Sequence, residues 1–332
     1  MDLTFEAIRE ALPGPKWQKL FNRLWPAYER WYQLNGLEDR PSYLSCSLAL
    51  KRYMPELEPV YESLCELAGG GDVQARFLSL YGPPPYMSGC SQAIWPGDKP
   101  ILVRNYDYSP LTFDAVLLET RWLGRTVLGV SDCLIGLTDG INDQGLAVSL
   151  TFGGRRVTGK GFGVPVILRY VLETCSTAEE AADALSRIPS HMAYNVTVLD
   201  KSGNWRTVYL APDRKPVVTH ASVATNHQQR VEWSSHAHAT ASVERERLLL
   251  QKLTLHKPSR AEFIGAFLRP PLYSTAFGRG FGTLFTAVYQ PTEPGLDLYW
   301  PGAKWHLPLG AFEEGGMRVV YPGAPAAAHG SL

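Results

Sequence analysis

The apolar positions of this chain follow two different periods. Up to residue 82 the spacing is helical. Trp17, Leu20, Phe21, Leu24, Tyr28, Trp31 and Tyr32 recur three and four apart, placing an aromatic stripe on one helix face, with Pro26 as a kink or break. Two more helical runs are predicted near residues 48–68 and 73–80. The stripe reads as a core face; a helix lying on a membrane surface is the other arrangement the pattern allows. Gly82-Pro83-Pro84-Pro85 ends the region, because consecutive prolines lack the N–H groups a helix needs.

Beyond the prolines the period is two. Residues 91–95 and 100–104 flank Pro96-Gly97-Asp98-Lys99, which has hairpin-turn chemistry. Strands are predicted at 115–121, 125–130 and 147–152, and helices at 168–173 and 178–187, the second opened by the capping-box pattern Ser176-Thr177-Ala178-Glu179. Strands return at 194–199 and 205–210 across Asp200-Lys201-Ser202-Gly203. A helix near 243–253 and a hairpin of 283–289 with 296–300 follow. Helices, strands, two helices, strands is the order of a layered α+β fold, not of βαβ alternation. Residues 323–332 are small and read as a flexible tail.

Composition narrows the function classes. The 332 residues carry 32 Lys+Arg against 32 Asp+Glu, so neither a nucleic-acid scaffold nor a polybasic membrane anchor is expected. The 45% hydrophobic content suffices for a large core. No apolar run approaches the roughly 20 residues of a membrane span, and Asp2 and Glu6 stand where a secretory signal would be basic and then apolar. The five cysteines (46, 65, 90, 133 and 175) form no Cys-x-x-Cys, so the expectation is a reducing cytoplasm and a thiol with a chemical task.

Gly-x-Ser-x-Gly, His-Glu-x-x-His and Walker patterns are absent, and no cofactor or metal is expected. Gly159-Lys160-Gly161-Phe162-Gly163 reads as a flexible loop before a helix. His236-Ala237-His238 has no third ligand at a recognisable spacing and reads as a solvated loop.

The informative stretch is Met87-Ser88-Gly89-Cys90-Ser91-Gln92-Ala93 followed by Val103-Arg104-Asn105-Tyr106-Asp107. A cysteine opens a strand, and a short hairpin returns a cation and a carboxylate beside it. A cation favours a thiolate, and a carboxylate orients an amine or imidazole base. A buried cysteine beside a structural Arg–Asp pair is the bland alternative from these residues alone.

Gly89-Cys90-Ser91 with Arg104-Asn105-Tyr106-Asp107 resembles the opening of the N-terminal-nucleophile hydrolases of the choloylglycine hydrolase and penicillin V acylase type. It is most similar to their relatives, the acyl-coenzyme A:6-aminopenicillanic-acid acyltransferase family. Three later segments agree in order: Asp139-Gly140-Ile141-Asn142-Asp143-Gln144-Gly145-Leu146, Asp200-Lys201-Ser202-Gly203 and Ala224-Thr225-Asn226-His227. The resemblance runs from about residue 87 to 300. It implies a four-layer αββα sandwich behind a helical prosegment. Residues 1–89 would be freed by self-cleavage between Gly89 and Cys90 yet stay associated, and 90–322 would form the catalytic domain.

The resemblance also implies the roles. Freed, the Cys90 α-amine, with an ordinary pKa of about 7.7–8.0, serves as general base while the thiol attacks an amide carbonyl. Asp107 would hold the amine, Arg104 the thiolate, and the Asn226 side-chain N–H the oxyanion. Where relatives carry Asn or Tyr as a second oxyanion group, this chain departs from the pattern with Thr151. Arg245 and Arg247 compete for a late ordering arginine, with Arg245 preferred. The implied activity is hydrolysis of a linear, non-peptide amide of a small N-acyl compound. Acyl transfer from an acyl thioester or amide to an amine is the alternative, with the Arg155-Arg156 and Lys160 loop as a candidate anion contact. An uncleaved binding protein is the third reading, and a homo-oligomer is left open.

Overall fold

A computed structural model describes residues 1–279 and 281–321. The chain begins with strand β1 (Asp2–Arg9), then helices α1 (Pro15–Tyr32), α2 (Tyr43–Tyr53), α3 (Glu58–Leu67) and α4 (Asp72–Leu78). Strands β2 (Gly89–Trp95), β3 (Ile101–Tyr108), β4 (Val116–Thr120), β5 (Val127–Asp132), β6 (Gly136–Asn142) and β7 (Ala147–Phe152) lead to α5 (Val164–Thr174) and α6 (Ala178–Arg187). Then come β8 (Tyr194–Leu199), β9 (Trp205–Leu210), β10 (Val217–Thr219), β11 (Val223–Ala224), α7 (Ser234–Ala239), α8 (Ser242–Gln251) and α9 (Arg260–Phe267). The described part closes with β12 (Gly282–Tyr289), β13 (Gly295–Trp300), β14 (Ala303–Pro308) and β15 (Gly315–Val320). The proposed tail, 323–332, lies outside the described residues.

Nine strands form one sheet in the order β10-β9-β8-β7-β6-β5-β4-β1-β15, and six form the other, β11-β2-β3-β12-β13-β14. Side-chain alternation sorts the apolar residues into three cores. Phe5, Ile94, Leu102, Leu117, Ile141, Leu284 and Leu298 fill the space between the sheets. The far face of the larger sheet packs on α1–α6 through residues such as Phe21, Leu64, Phe77, Val148, Val171 and Leu185. That of the smaller sheet packs on α8 and α9 through Val103, Leu249, Phe263 and Phe267. Helix, sheet, sheet, helix is the four-layer sandwich. No described helix is long and apolar enough to cross a membrane.

The N-terminal segment differs from its expected all-helical form. Asp2–Arg9 is a strand, antiparallel to β15 and parallel to β4. Leu3, Phe5 and Ala7 alternate with polar neighbours, and Phe5 meets Trp300 edge-on at 5.0 Å between the sheets. Residues 1–89 therefore supply part of a sheet as well as a helical cover. Helix α1 runs through Pro26 without a break, Pro26 lying on its exposed side. Its stripe is a core face: Trp17, Phe21 and Trp25 stack in series at 5.4 and 5.2 Å, and the Trp17 indole N–H donates to the Leu134 carbonyl at 2.9 Å. Burying such a ring stabilises the fold by roughly 1.5–3 kcal/mol. His236 and His238 belong to the helical turn α7 instead of a loop, and His236 stacks on Trp233. Among the described residues no group of three His, Cys, Asp or Glu side chains is arranged to hold a metal.

Candidate active site

Strands β2 and β3 pair antiparallel, so Cys90 lies opposite Tyr106 and Gly89 opposite Asp107. Alternation sends Cys90, Arg104 and Tyr106 into the space between the sheets and Ser91, Asn105 and Asp107 toward the outer helices. Gly89 has no room for a side chain, since a Cβ there would run into the Phe281 ring and approach the Cβ of Asp107. Cys90 is completely buried.

Arg104 reaches the cysteine from the neighbouring strand of the same sheet and crosses the intersheet space to Asp139 on β6. Its Nη2 donates to Cys90 Sγ at 3.3 Å, while Nη1 binds the Asp139 carboxylate at 2.7 Å. Burial opposes this charge, yet attraction to the Cys90 sulfur and Asp139 outweighs it and raises the guanidinium pKa. Asp139 opens the first of the later motif segments, and that motif is the signal for it. The Ser88 hydroxyl is 3.6 Å from the same sulfur.

On the other side Arg245 gathers the remaining groups. Its Nη1 donates to Ser91 Oγ at 2.8 Å and to Asp107 Oδ2 at 2.9 Å, and Nη2 to Asn226 Oδ1 at 2.7 Å. Arg247, two residues further along the helix, faces solvent, so Arg245 is the arginine in the cluster. Burial lowers the Arg245 pKa against the pull of Asp107 and Cys90. Burial likewise raises that of Asp107, while Arg245, Thr283 and Arg104 hold it down. Thr283 Oγ1 donates to Asp107 at 2.6 Å.

Two expected contacts take other forms. The Cys90 N–H donates to Asn226 Oδ1 at 3.0 Å, and the Asp107 carboxylate engages Arg245 and Thr283 instead. Asn226 Nδ2 points at the carbonyls of Phe152, 3.2 Å, and Ser88, 3.4 Å, so it holds the segment leading into Gly89. The Thr151 hydroxyl donates to the Thr225 carbonyl at 2.8 Å, behind the loop carrying Asn226; it braces that loop and does not face the sulfur.

Asn195 and Gly154, which no motif marks, complete the frame together with His227 of the last motif segment. Asn195 Nδ2 lies 2.8 Å from the Thr225 carbonyl and 2.9 Å from that of His227, pinning both sides of Asn226. His227 Nδ1 meets Ser242 Oγ at 2.8 Å and ties the loop to α8. Gly154, at φ +65, passes so close to the Asn226 carbonyl that a Cβ would collide with it. The other motif segments build turns. Asn142 Oδ1 accepts the N–H groups of Gln144 and Leu146, and Asp200 Oδ1 those of Ser202 and Asn204. In the basic loop Arg155 pairs with Asp213 at 2.8 Å and Glu232 at 2.9 Å, Arg156 stacks on Trp233, and Lys160 is exposed.

Three solved structures are similar to this chain at low identity. A penicillin V acylase from Agrobacterium tumefaciens has 14% identity and a TM-score of 0.47, covering 67% of this chain and 86% of its own. An ortholog of N-acylethanolamine-hydrolyzing acid amidase from Caenorhabditis elegans has 18% identity and a TM-score of 0.45, covering 66% and 100%. A mutant of conjugated bile acid hydrolase from Clostridium perfringens has 14% identity and a TM-score of 0.39, covering 71% and 98%. No curated protein matches the sequence. The family model for acyl-coenzyme A:6-aminopenicillanic acid acyl-transferase matches residues 95–305. Arg104, Asp107, Thr151, Asn226 and Arg245 lie inside that span, and Gly89 and Cys90 just ahead of it. With the matched span covering more than half of its residues, the chain belongs to the acyl-coenzyme A:6-aminopenicillanic acid acyl-transferase family.

Proposed function

We propose that the chain cuts itself between Gly89 and Cys90 and then acts as a cysteine N-terminal-nucleophile amidase on a linear, non-peptide N-acyl amide. The observation that carries the reading is the convergence on one residue. Cys90 presents its sulfur to Arg104 and its backbone N–H to Asn226, which Arg245 and Asp107 brace from behind. A structural cysteine needs neither arrangement.

In the first reaction the Cys90 thiol attacks the Gly89 carbonyl carbon. The C–N bond breaks, the nitrogen leaves as the Cys90 amine carrying the thiol proton, and a thioester remains. Water opens it to a Gly89 carboxylate and a free thiol. The new amine starts 3.0 Å from Asn226 Oδ1 and can take the thiol proton in the next cycle. Departure of the Ser88–Gly89 end releases Asn226 Nδ2 from the Ser88 carbonyl, leaving an N–H for the substrate oxyanion. Attack on the amide expels the amine and leaves an acyl group on Cys90, which water removes.

Acyl transfer uses the same acyl-enzyme with an amine in place of water, and the family's name favours it. Against a coenzyme A donor stands the pairing of Arg155 with Asp213 and Glu232. The test is to incubate the cut protein with N-acyl amides, trap the acyl-enzyme by acid quench, and partition it between water and hydroxylamine. A mass increment on the Cys90 peptide supports the reading. A thiol that never acylates, in protein that is cut, contradicts it.

A further inference from the structure

Beside the site lies a cavity of about 390 Å³ between α1 and the ends of β3 and β5. Six aromatic side chains wall it: Tyr28, Trp31, Tyr86, Tyr106, Tyr108 and Phe113. Tyr106 links it to the catalytic centre, because it is the cross-strand neighbour of Cys90 and its ring lies 4.5 Å from the Arg104 guanidinium carbon. Two carboxylates, Asp114 and Asp132, also line this apolar space.

Among the described residues neither carboxylate is paired with a cation, and the more distant charges of Arg23 on Asp114 and of Arg104 on Asp132 act to lower them. Tyr28 donates to Asp114 at 2.6 Å and lies 3.4 Å from Asp132, and the Cys133 thiol donates to Asp132 at 3.5 Å. No described Lys, Arg or His forms an ion pair with either. Arg23, on the same helix, is paired with Glu6 at 2.7 Å, and Arg30 stands exposed at the rim. Tyr106, only 4% exposed, also lines the cavity. Ala115 and Cys133, each next to one of the carboxylates, hold φ values of 55° and 54°, a left-handed conformation that costs non-glycine residues about 1–3 kcal/mol. Burial first, and then mutual repulsion, push the Asp114 carboxyl up to about 8; burial pushes Asp132 up to about 6. Such a pair is under-compensated, and aromatic faces with nearby carboxylates are what an ammonium group needs.

We propose that this cavity binds a protonated amine, so that the substrate is an N-acyl compound carrying an alkylammonium group near the scissile amide. Its link to the substrate rests on the amidase reading above; the binding site itself does not. Six residues of the N-terminal segment, Leu24, Ala27, Tyr28, Arg30, Trp31 and Leu34, line the cavity on or just after α1, so that segment would share in specificity as well as in folding.

The test is calorimetric titration of the uncut Cys90→Ala protein with 2-phenylethylammonium and with 2-phenylethanol, its neutral counterpart. The ammonium is expected to bind at least about tenfold more tightly, as befits a cation between aromatic faces and carboxylates. In Asp114→Asn/Asp132→Asn the preference should fall to about threefold or less, while the alcohol, which reports the intact cavity, binds as before. Equal or tighter binding of the alcohol by the Cys90→Ala protein overturns the proposal without any acidic variant having to fold. So does binding of neither probe at millimolar concentration, or a preference that survives the double substitution. Because no turnover is measured, ammonium selectivity in a protein that never acylates would refute the amidase reading and leave this site standing.

Discussion

Arg245→Met removes the side chain on which the outer half of the site converges. Three charge-assisted hydrogen bonds disappear, to Ser91, Asp107 and Asn226. The Asp107 carboxylate stays buried with Thr283 as its remaining partner among these groups. Breaking a buried ion pair by removing one partner costs about 3–5 kcal/mol, most of it from the uncompensated charge. Measured in a Cys90→Ala background, so that one continuous chain unfolds, the urea midpoint should drop by about 1 M or more. Asp107→Asn should also destabilise, because it strands the guanidinium. The double substitution should cost less than the sum of the two by more than about 1 kcal/mol, since the second change removes a charge that the first left unpaired. In the Cys90 parent, Arg245→Met should also slow cleavage, because Asn226 Oδ1 loses its second donor. Strictly additive effects, or a midpoint shift below about 0.2 M, would refute the picture of one coupled buried network.

Gly154→Ala places a Cβ against the Asn226 carbonyl at a left-handed backbone position, so it should slow or abolish cleavage while Gly302→Ala, at φ +80 with open space around it, leaves cleavage intact; denaturing gels over time read both. Asp114 should make the protein less stable as pH rises. The folded chain keeps a proton there between the ordinary value of 3.8 and about 8, and unfolding releases it, so stability falls through that window and Asp114→Asn should flatten the fall in melting temperature between pH 5 and 8. After cleavage the two fragments should co-elute in native size-exclusion and separate only in denaturant, because β1 is hydrogen-bonded to both β15 and β4.

The site is legible where function fixes residue types at short range. Cys90, Arg104 and Asp107 lie on one hairpin, and the period-two pattern that predicts the hairpin also predicts which of them share a face. Arg245 and Asn226 join them from far along the chain, and only the resemblance could bring these together. Of the two candidate arginines the structure brings Arg245 to Ser91, Asp107 and Asn226, while Arg247 is exposed. Asn195 gives no signal, since a polar residue alternating into a buried strand looks like any outward-facing one until its partners are known. Strand β1 escapes the pattern reading although Leu3, Phe5 and Ala7 alternate cleanly. Its pairing partner β15 lies some three hundred residues away, and the aromatic stripe of α1 dominates the local pattern. Thr151 stands where the resemblance implies a second oxyanion group, whereas its hydroxyl braces the loop carrying Asn226.

The central claim is that Cys90 becomes a chain terminus. It is tested most directly by the intact mass of the freshly purified protein beside a Cys90→Ala control. The account predicts two fragments in the wild type, residues 1–89 and 90–332, whose masses sum to the 36.8 kDa chain plus one water, and an uncut control. A single species of full mass in both would mean that Cys90 carries no free α-amine, and the mechanism proposed here would be wrong.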